Sequence, residues 1–530
     1  MSRAGRVDST RAVVGVIAVV ALSIRLVGLG GRPFHWDEAR VGVWALRFAR
    51  VGAFEYRPVA GGPLPYHLAR GSFALFGATD AAARLPVALV GGLLPLSALS
   101  LRGRLSDDET VCLAALLAAS PPLLYYTRVL RGDALLAAAA FVACVLVVRA
   151  VDSGRRGAAY GAVLSVAAAV AASGFVVATL ACVLVACAVV SDARRLPGDA
   201  LAALSDRLRA ESTLLARLFV AFVAAVVFLY APRGGDVSLW SPATFPRAVA
   251  FVFAEAPGRF FAVRVASRYA DGATHPLVPF VVSLVRTLLA AALPTVVLAI
   301  VGVFSERYAG ENRTVVAFFS VWAAAAVLLF PTVAEADAPW TAVHVVVPLA
   351  VPAAVGAGRG LSYARAAVSR ADAPAIAAVL LVVVAGVAQV GGVLASDVYG
   401  PPTPDGALTE YGQPADDLEP FAANVSAARE GEPAVLYYGD RFHTGEWTVA
   451  DGPPVPTAWG GQLPLPWYVV REGAASTTLA SDAALPANPP PVVVVDPADV
   501  GAVAPRLSGY ERSRYRLGLW NREVVVFVRS

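Results

Sequence analysis

Gly31-Arg32-Pro33-Phe34-His35-Trp36-Asp37-Glu38-Ala39-Arg40 stands just beyond the first long apolar run of the chain, Val13–Leu29. Two adjacent carboxylates where an apolar helix meets water need a cap, a partner or a chemical use. What surrounds them sets the class. Hydrophobic residues make up 57% of the 530 residues and charged ones 15%, with a mean hydropathy of +0.64. Those values lie outside the range of soluble domains and describe a polytopic membrane protein.

Working outward from Val13–Leu29, runs long enough to cross a bilayer recur at Pro86–Leu101, Thr110–Tyr126, Ala134–Val151, Ala159–Ala172, Phe175–Val190, Leu214–Tyr230, Leu277–Val303, Thr314–Phe330, Thr341–Ala357 and Ala375–Leu394. The count is about eleven helices, with Ser173-Gly174 readable as a tight turn or as a kink within one segment. With the amino terminus inside, every short cytoplasmic loop bears arginine: Arg3, Arg6 and Arg11, then Arg102 and Arg104, Arg155 and Arg156, Arg194 and Arg195, Arg307 and Arg313, and Arg359, Arg365 and Arg370. This is the positive-inside pattern of a multi-pass cell-membrane protein. It places Asp37, Glu38 and the carboxyl-terminal part outside. The first apolar run is long enough to stay as an anchor.

The chain divides into residues 1–396, the membrane part, with residues 31–85 as its first external loop, and residues 397–530, a small extracellular α/β domain. From Asp397 onward there are 17 carboxylates and 9 arginines, a net of −8, against 34 arginines and 22 carboxylates, a net of +12, before it. A Pro- and Gly-rich linker near Gly400–Pro420 precedes strand-like runs at Ala434–Tyr438, Val492–Val495 and Val524–Val528, with a helix near Ala498–Leu507. Within residues 31–85, Val41, Trp44, Ala45, Phe48 and Val51 share one helical face and Arg40, Arg47 and Arg50 another, the pattern of a helix lying in the membrane interface. Pro63–Gly77 is a second such stretch.

There is no lysine, so no G-x-x-x-x-G-K loop exists, and no G-x-G-x-x-G opens a helix after a soluble strand. A nucleotide donor is unsupported. Cys112, Cys144, Cys182 and Cys187 fall in apolar runs, which argues against a disulfide framework or a zinc site. The external stretch Ala231–Pro276 mixes Trp240, Phe245, Phe251, Phe253, Phe260, Phe261 and Tyr269 with Arg233, Arg247, Arg259, Arg264 and Arg268. That mixture suits lipid headgroups; its external place excludes nucleic acid.

An acidic pair after the first helix, a shelf with Gly62-Pro63-Leu64-Pro65-Tyr66-His67, and the block Phe76–Leu89 containing Ala83-Arg84-Leu85-Pro86 resemble the GT-C membrane glycosyltransferases, among them the protein O-mannosyltransferases and aminoarabinose transferases. The chain is more similar still to an archaeal membrane family named for association with flippase activity in N-glycosylation, sharing Pro339-Trp340 with His344 and Pro348, and Leu463-Pro464-Leu465-Pro466-Trp467-Tyr468. Two departures stand out. Gly62 occupies the position where aminoarabinose transferases usually carry a lysine, and no Trp-Trp-Asp-Tyr-Gly-like sequence of the oligosaccharyltransferases is present.

The resemblance implies transfer of one sugar from a dolichyl or polyprenyl phosphate to a hydroxyl of a glycan, lipid or protein on the outer face, with inversion at the anomeric carbon, in cell-surface glycoprotein or glycolipid assembly. Such a reaction needs a carboxylate to take the hydroxyl proton and positive charge for the departing phosphate. Asp37 is the candidate base, with Glu38 orienting it or the acceptor. Arg128 is the first candidate for the donor phosphate; Arg131, three residues on, shares its helical face, and Arg84 is a third. His35, Tyr66, His67, Asp133, Trp340 and His344 are candidates for the substrate groove, with Glu335 and Asp337 beside Trp340. No cofactor is expected. A divalent cation bridging Asp37 or Glu38 to the phosphate is the less favoured alternative, because His35 and two carboxylates within four residues converge only through a sharp turn.

Each assignment has a plainer counterpart. Asp37 suits an N-cap, Arg128 or Arg131 suits a turn-stabilising pair with Asp133, and His344 suits a packing role inside the bundle. A flippase or flippase-accessory protein and a non-catalytic scaffold are the competing functions. The apolar runs carry few ionisable groups, which collect instead at the outer face and favour surface chemistry on a lipid-linked donor. The orientation has a direct check in two sequons. Asn424-Val425-Ser426 is expected to accept a glycan and Asn312-Arg313-Thr314 is not; mass-spectrometric detection of glycan on Asn312 would reverse the topology.

Overall fold

The structure, a computed structural model, describes residues 3–58, 61–193, 206, 209–262, 276–309, 312–334, 338–430, 433–448, 456–520 and 522–530. Arg194, Arg195, Arg264, Arg268, Tyr269, Glu335 and Asp337, invoked above, lie outside them. Helix α1 (Arg3–Leu26) leads into the stretch 31–85 that carries α2 (Trp36–Val51) and α3 (Leu64–Phe76). Then follow α4 (Asp80–Leu93, continuing as a 3-10 helix to Leu101), α5 (Asp107–Ala119), α6 (Pro121–Tyr126), α7 (Gly132–Ser153), α8 (Arg156–Ala172), α9 (Val176–Ala193) and α10 (Ser212–Tyr230). Two short helices, α11 (Phe245–Ala250) and α12 (Ala256–Phe261), precede α13 (Leu277–Ala309), α14 (Thr314–Val333), α15 (Val343–Ser369) and α16 (Ala373–Val393).

Among the described residues, eight helical stretches are long and apolar enough to cross a membrane; α8 and α9 are shorter apolar helices. The span expected over Thr110–Tyr126 is broken. Pro121 and Pro122 have no N–H, so the carbonyls of Leu117 and Ala118 lose the donors a continuous helix would give them. Arg25 replaces both: its Nη2 donates to Leu117 O at 3.4 Å and its Nη1 to Ala118 O at 3.2 Å, while Nε donates to Thr127 Oγ1 at 2.9 Å. Arg128, just past α6, returns the contact by donating to the carbonyls of Ile24, Arg25, Val27 and Gly28 at the end of α1. One buried arginine thus closes a proline break, and a second caps the helix the first comes from.

Helices α13 and α15 touch backbone to backbone. A Cβ on Gly302 would lie 1.9 Å from Pro352 O and one on Gly356 would lie 2.0 Å from Leu298 O, so only glycine fits at either position. At the end of the bundle remote from Asp37, arginines of the connecting loops are ion-paired. Arg313 holds Glu109 at 2.7 Å and Glu306 at 2.7 Å, and Arg104 holds Asp152 at 2.6 Å. Helix α16 buries only Ala375 and α10 has no buried residue, so both present apolar surface outward to lipid.

The carboxyl-terminal domain begins with α17 (Glu419–Ala427) and β1 (Val435–Tyr438), then α18 (Thr457–Gln462), α19 (Leu465–Arg471), β2 (Ser476–Leu479), β3 (Val492–Val495), α20 (Val500–Val503), β4 (Tyr510–Arg516) and β5 (Glu523–Arg529). Its sheet has the order β2-β1-β3-β5-β4, with β1 parallel to β2 and β3 and with β5 antiparallel to β3 and β4. The all-valine β3 is buried throughout at the sheet centre, as an uninterrupted apolar run requires.

This domain docks on the stretch 31–85 through Leu463–Tyr468. Trp467 stacks on Phe34 with centroids 4.5 Å apart and donates Nε1–H to Asp80 Oδ1 at 2.7 Å, and Tyr468 Oη accepts the Phe34 N–H at 3.0 Å. The stretch read as a linker is part of the same wall. Arg32 donates to Asp397 O, Tyr126 to Leu408 O and Gln413 to Pro33 O, and the Trp36 N–H donates to Gly412 O.

Replacing Arg25 by methionine leaves two carbonyls without donors, each costing about 1–3 kcal/mol. The melting midpoint of the detergent-solubilised protein is expected to fall; an unchanged midpoint in a thermal-shift assay would refute the bridging role.

Candidate active site

His35 starts the site. Its Nδ1 accepts the Asp37 N–H at 3.1 Å, and Glu38 Oε2 accepts the His35 N–H at 3.0 Å, a reciprocal cap on α2. The capping role considered for Asp37 therefore belongs to His35 and Glu38. Because Nδ1 accepts, the ring proton sits on Nε2, which lies 3.6 Å from Glu410 Oε2.

Glu38 is fully buried. Arg84 donates to it from Nε at 2.7 Å and from Nη2 at 2.6 Å, and the Leu130 N–H donates at 2.7 Å. Burial pushes its carboxyl up, but Arg84 and the His35 and Leu130 N–H groups outweigh burial and hold it below the ordinary carboxylate value. The remaining Arg84 hydrogens go to the carbonyls of Leu29, Arg32 and Pro33. Every polar atom of this pair is used, so the expectations of Glu38 as an acceptor-orienting group and Arg84 as a phosphate ligand are revised to that of an internal strut.

Asp37, one helical position earlier, faces elsewhere. Its Oδ2 accepts from Arg131 Nη1 at 2.7 Å and its Oδ1 lies 3.4 Å from Arg40 Nη1. Arg131 also reaches Asp133 at 3.0 Å and Glu410 at 3.1 Å, and its guanidinium lies 5.2 Å from the Trp340 ring centre. Burial disfavours the Arg131 charge, but Glu410, Asp37 and Asp133 hold it well above its usual value. Trp340 meets His344 edge-on at 6.3 Å, and His344 stacks on Phe330 at 4.0 Å. The structure thus brings together His35, Asp37, Arg131, Asp133, Trp340 and His344 from separate stretches of chain. Within the carboxylates around Arg131, Asp37 has 29% of its side chain exposed, and Asp133 and Glu410 have 7% each. Of the three, only Asp37 is open to solvent to any extent.

On the other side of Glu38 lies a cavity of about 390 Å³, lined by Arg32, Tyr125, Arg128, Tyr399 and Gln413 among others. Arg128 contributes a guanidinium already bonded to the end of α1. Arg32 spends Nη2 on backbone carbonyls of residues 397–400 and packs 4.9 Å from the Tyr125 ring centre; its Nε and Nη1 have no partner among the described residues. Arg32 and Glu410 are the two site residues that sequence reasoning missed. Arg32 stood in the stretch first quoted, five residues before Asp37, whereas nothing local distinguishes Glu410 from the other carboxylates of the linker.

Tyr66 and His67 sit apart from these groups. His67 Nε2 donates to Leu229 O at 2.8 Å and Nδ1 accepts from Arg233 at 3.0 Å, with Phe48 and Phe54 against the ring; Tyr66 also packs against Phe54. Gly62 explains the departure noted above: a Cβ there would lie 2.1 Å from Ala171 O, so no side chain fits.

His35, Asp37 and Glu410 offer ligand atoms within 4.8 Å of one another, a spacing that suits a metal ion. Their chemistry does not suit one. The His35 nitrogen that faces Glu410 carries the ring proton, and Arg131 Nη1 already bridges Asp37 and Glu410 at 2.7 and 3.1 Å. A cation there would meet a hydrogen and a fixed positive charge.

Residues 58–230 match the family model of dolichyl-phosphate-mannose-protein mannosyltransferase, and residues 418–529 match that of the Agl23 flippase-associated protein C-terminal domain. ArnT from Cupriavidus metallidurans in the apo state superposes with a TM-score of 0.58 at 17% identity, covering 97% of each chain. The same protein bound to undecaprenyl phosphate gives 0.57 at 16% identity, again over 97% of each chain. The chain has a GT-C fold. No curated protein sequence matches it significantly. The fold, the two family matches and the long apolar helices make it a multi-pass membrane protein, and residues 397–417, just ahead of the segment matching the Agl23-type domain, form one wall of the candidate site.

His67 provides a pH test of the packing. Burial, with Arg233 and Arg70 nearby, lowers its imidazole from 6.5 to about 4. A folded value below the unfolded one gives stability that is fully present above pH 6.5 and is lost as pH falls toward 4. Replacing His67 by glutamine is expected to flatten the fall in melting midpoint between pH 6.5 and 5; an identical slope in both proteins would rule out a buried neutral ring.

Proposed function

We propose that the protein transfers a hexose from a polyprenyl or dolichyl phosphate to an acceptor hydroxyl at the outer membrane face, with Asp37 as general base. The observation that carries the reading is the division of charge about Glu38. On one side three carboxylates surround Arg131 and only Asp37 is accessible; on the other, Arg32 and Arg128 line a cavity with the unspent Arg32 hydrogens available to an anion. A base and an anion site on opposite sides of one strut suit an in-line displacement. The acceptor oxygen gives its proton to Asp37 and bonds to the anomeric carbon. The bond from that carbon to the phosphate oxygen breaks, and the electron pair leaves on the lipid phosphate, which Arg32 holds.

The order of events gives inversion at the anomeric carbon. Arg131 holds the Asp37 carboxylate in place, and Glu410 and Asp133 share the Arg131 charge. A lipid-linked donor is supported by the undecaprenyl phosphate complex of ArnT among the fold relatives and by the mannosyltransferase match. No metal has a step in this scheme. The Agl23-type domain favours one second reading, an accessory role in moving a lipid-linked sugar, in which the same cavity holds the phosphate but no bond is broken.

The test is an assay of the purified protein in lipid with radiolabelled dolichyl-phosphate sugar and candidate acceptors. Asp37→Asn is expected to lower kcat by ~10²–10⁴-fold with the melting midpoint preserved, and Arg32→Ala to lower turnover of the folded protein by ~10²-fold while also lowering the midpoint, because it frees the carbonyls of Asp397, Val398 and Gly400. EDTA is expected to leave the rate unchanged. Full activity in both variants would sink the site assignment, activity restored by a divalent ion after chelation would restore the metal, and no transfer by wild type would favour the accessory reading.

A further inference from the structure

A second site lies away from Asp37, between the interfacial helices. A groove of about 410 Å³ separates α2 from α3, with Leu46, Phe73, Ala74 and Ala78 on its walls and Arg50 and Arg70 at its rim. Several arginines on the same side are held by carboxylates: Arg84 by Glu38, Arg131 by Asp37, Arg471 by Asp80 and Glu419, and Arg259 by Glu55. Arg50 and Arg70 are not. Arg50 donates only to Arg471 O at 3.2 Å, Arg70 lies over the Phe48 ring at 4.5 Å, and among the described residues neither has an ion pair.

The depth of the groove is fixed by the chain. Ala78 precedes by two residues Asp80, where the apolar stretch Asp80–Leu101 begins, so the groove sits where a spanning helix leaves the hydrocarbon and lipid phosphates lie. Next to it Leu75 is 77% exposed and Phe76 61% exposed, surface that belongs in an apolar phase. Two unpaired guanidinium groups above an apolar channel, at phosphate depth, are complementary to one class of molecule.

We propose that this groove holds one anionic bilayer lipid, its phosphodiester between Arg50 and Arg70 and an acyl chain along Leu46, Phe73 and Ala74. The occupant is a resident lipid, separate from the sugar donor, and it ties the shelf of α2 and α3 to the bilayer. Because Arg50 also bonds to Arg471 O, the bound headgroup sits against the helix by which the carboxyl-terminal domain docks. The proposal does not depend on the chemistry assigned to Asp37.

The experiment is native mass spectrometry of the full purified chain titrated with dioleoyl phosphatidylglycerol or dioleoyl phosphatidylcholine. One phosphatidylglycerol is expected to stay bound under activation that strips phosphatidylcholine. Arg50→Gln with Arg70→Gln is expected to weaken that binding about tenfold. Ala74→Trp, which fills the channel without touching a charge, is expected to weaken it as well. Equal retention of the two lipids, or undiminished phosphatidylglycerol binding by either variant, would overturn the site. Displacement of phosphatidylglycerol by equimolar undecaprenyl phosphate would overturn the resident-lipid assignment and give the groove to the donor.

Discussion

The buried ion pair of Glu38 and Arg84 is the constraint from which the rest of the site follows. Both side chains are removed from water, and all five Arg84 hydrogens and both Glu38 oxygens are matched. Such a pair adds little net stability over apolar packing, because desolvation offsets attraction, but losing one partner strands the other at a cost of about 3–5 kcal/mol. Its value is geometric. It fixes the carbonyls of residues 29–33, the first turn of α2, and Leu130 just ahead of α7 in one frame. Adjacent helical residues point about 100° apart. With Glu38 locked inward, Asp37 must turn toward Arg131, so two neighbouring carboxylates acquire unrelated roles.

Apolar periodicity made most of the membrane part legible, because a spanning helix has to satisfy its backbone within itself and so declares itself by composition. The exceptions follow the same logic. Pro121-Pro122 lies within an apolar run, yet the break it causes is tolerable only because Arg25, 102 residues from its partner Thr127, supplies hydrogen bonds that no local reading reveals. In the carboxyl-terminal sheet the buried strands β1, β3 and β5 stood out as valine-rich or aromatic apolar runs. The edge strands β2 and β4 did not, since Ser476–Leu479 is polar and half exposed and Tyr510–Arg516 is largely charged, as sheet edges tend to be.

The same division holds for the site. Asp37, Arg131, Asp133, Trp340 and His344 could be singled out because each is a polar or aromatic residue beside a membrane boundary, where such residues are few. Tyr66 and His67 met the same criterion and belong to a different cluster. On α3 their direction is set by packing against Phe54 and by hydrogen bonds to Leu229 O and Arg233, distant in sequence. Glu410 escaped notice because a Pro- and Gly-rich stretch reads as a spacer. Here it is pinned at several points by backbone and side-chain bonds, most of them from the loop that follows α1.

That pinning bears on what the carboxyl-terminal part is for. Glu410 is one of three carboxylates that keep Arg131 charged, and without it Arg131 would bind Asp37 more exclusively and mask the only accessible oxygen pair in the cluster. Trp467 and Tyr468, further along, press Phe34 and Asp80 from outside and hold the loop that carries His35. The loop that follows α1 is therefore shaped by residues some four hundred positions later. A membrane part lacking residues after Asp397 would keep the packing of α13 on α15 and of α7 on α8, but the loop from Leu29 to His35 would lose the surface it is folded against. The acidic pair is encoded near one end of the chain, and its geometry is completed near the other.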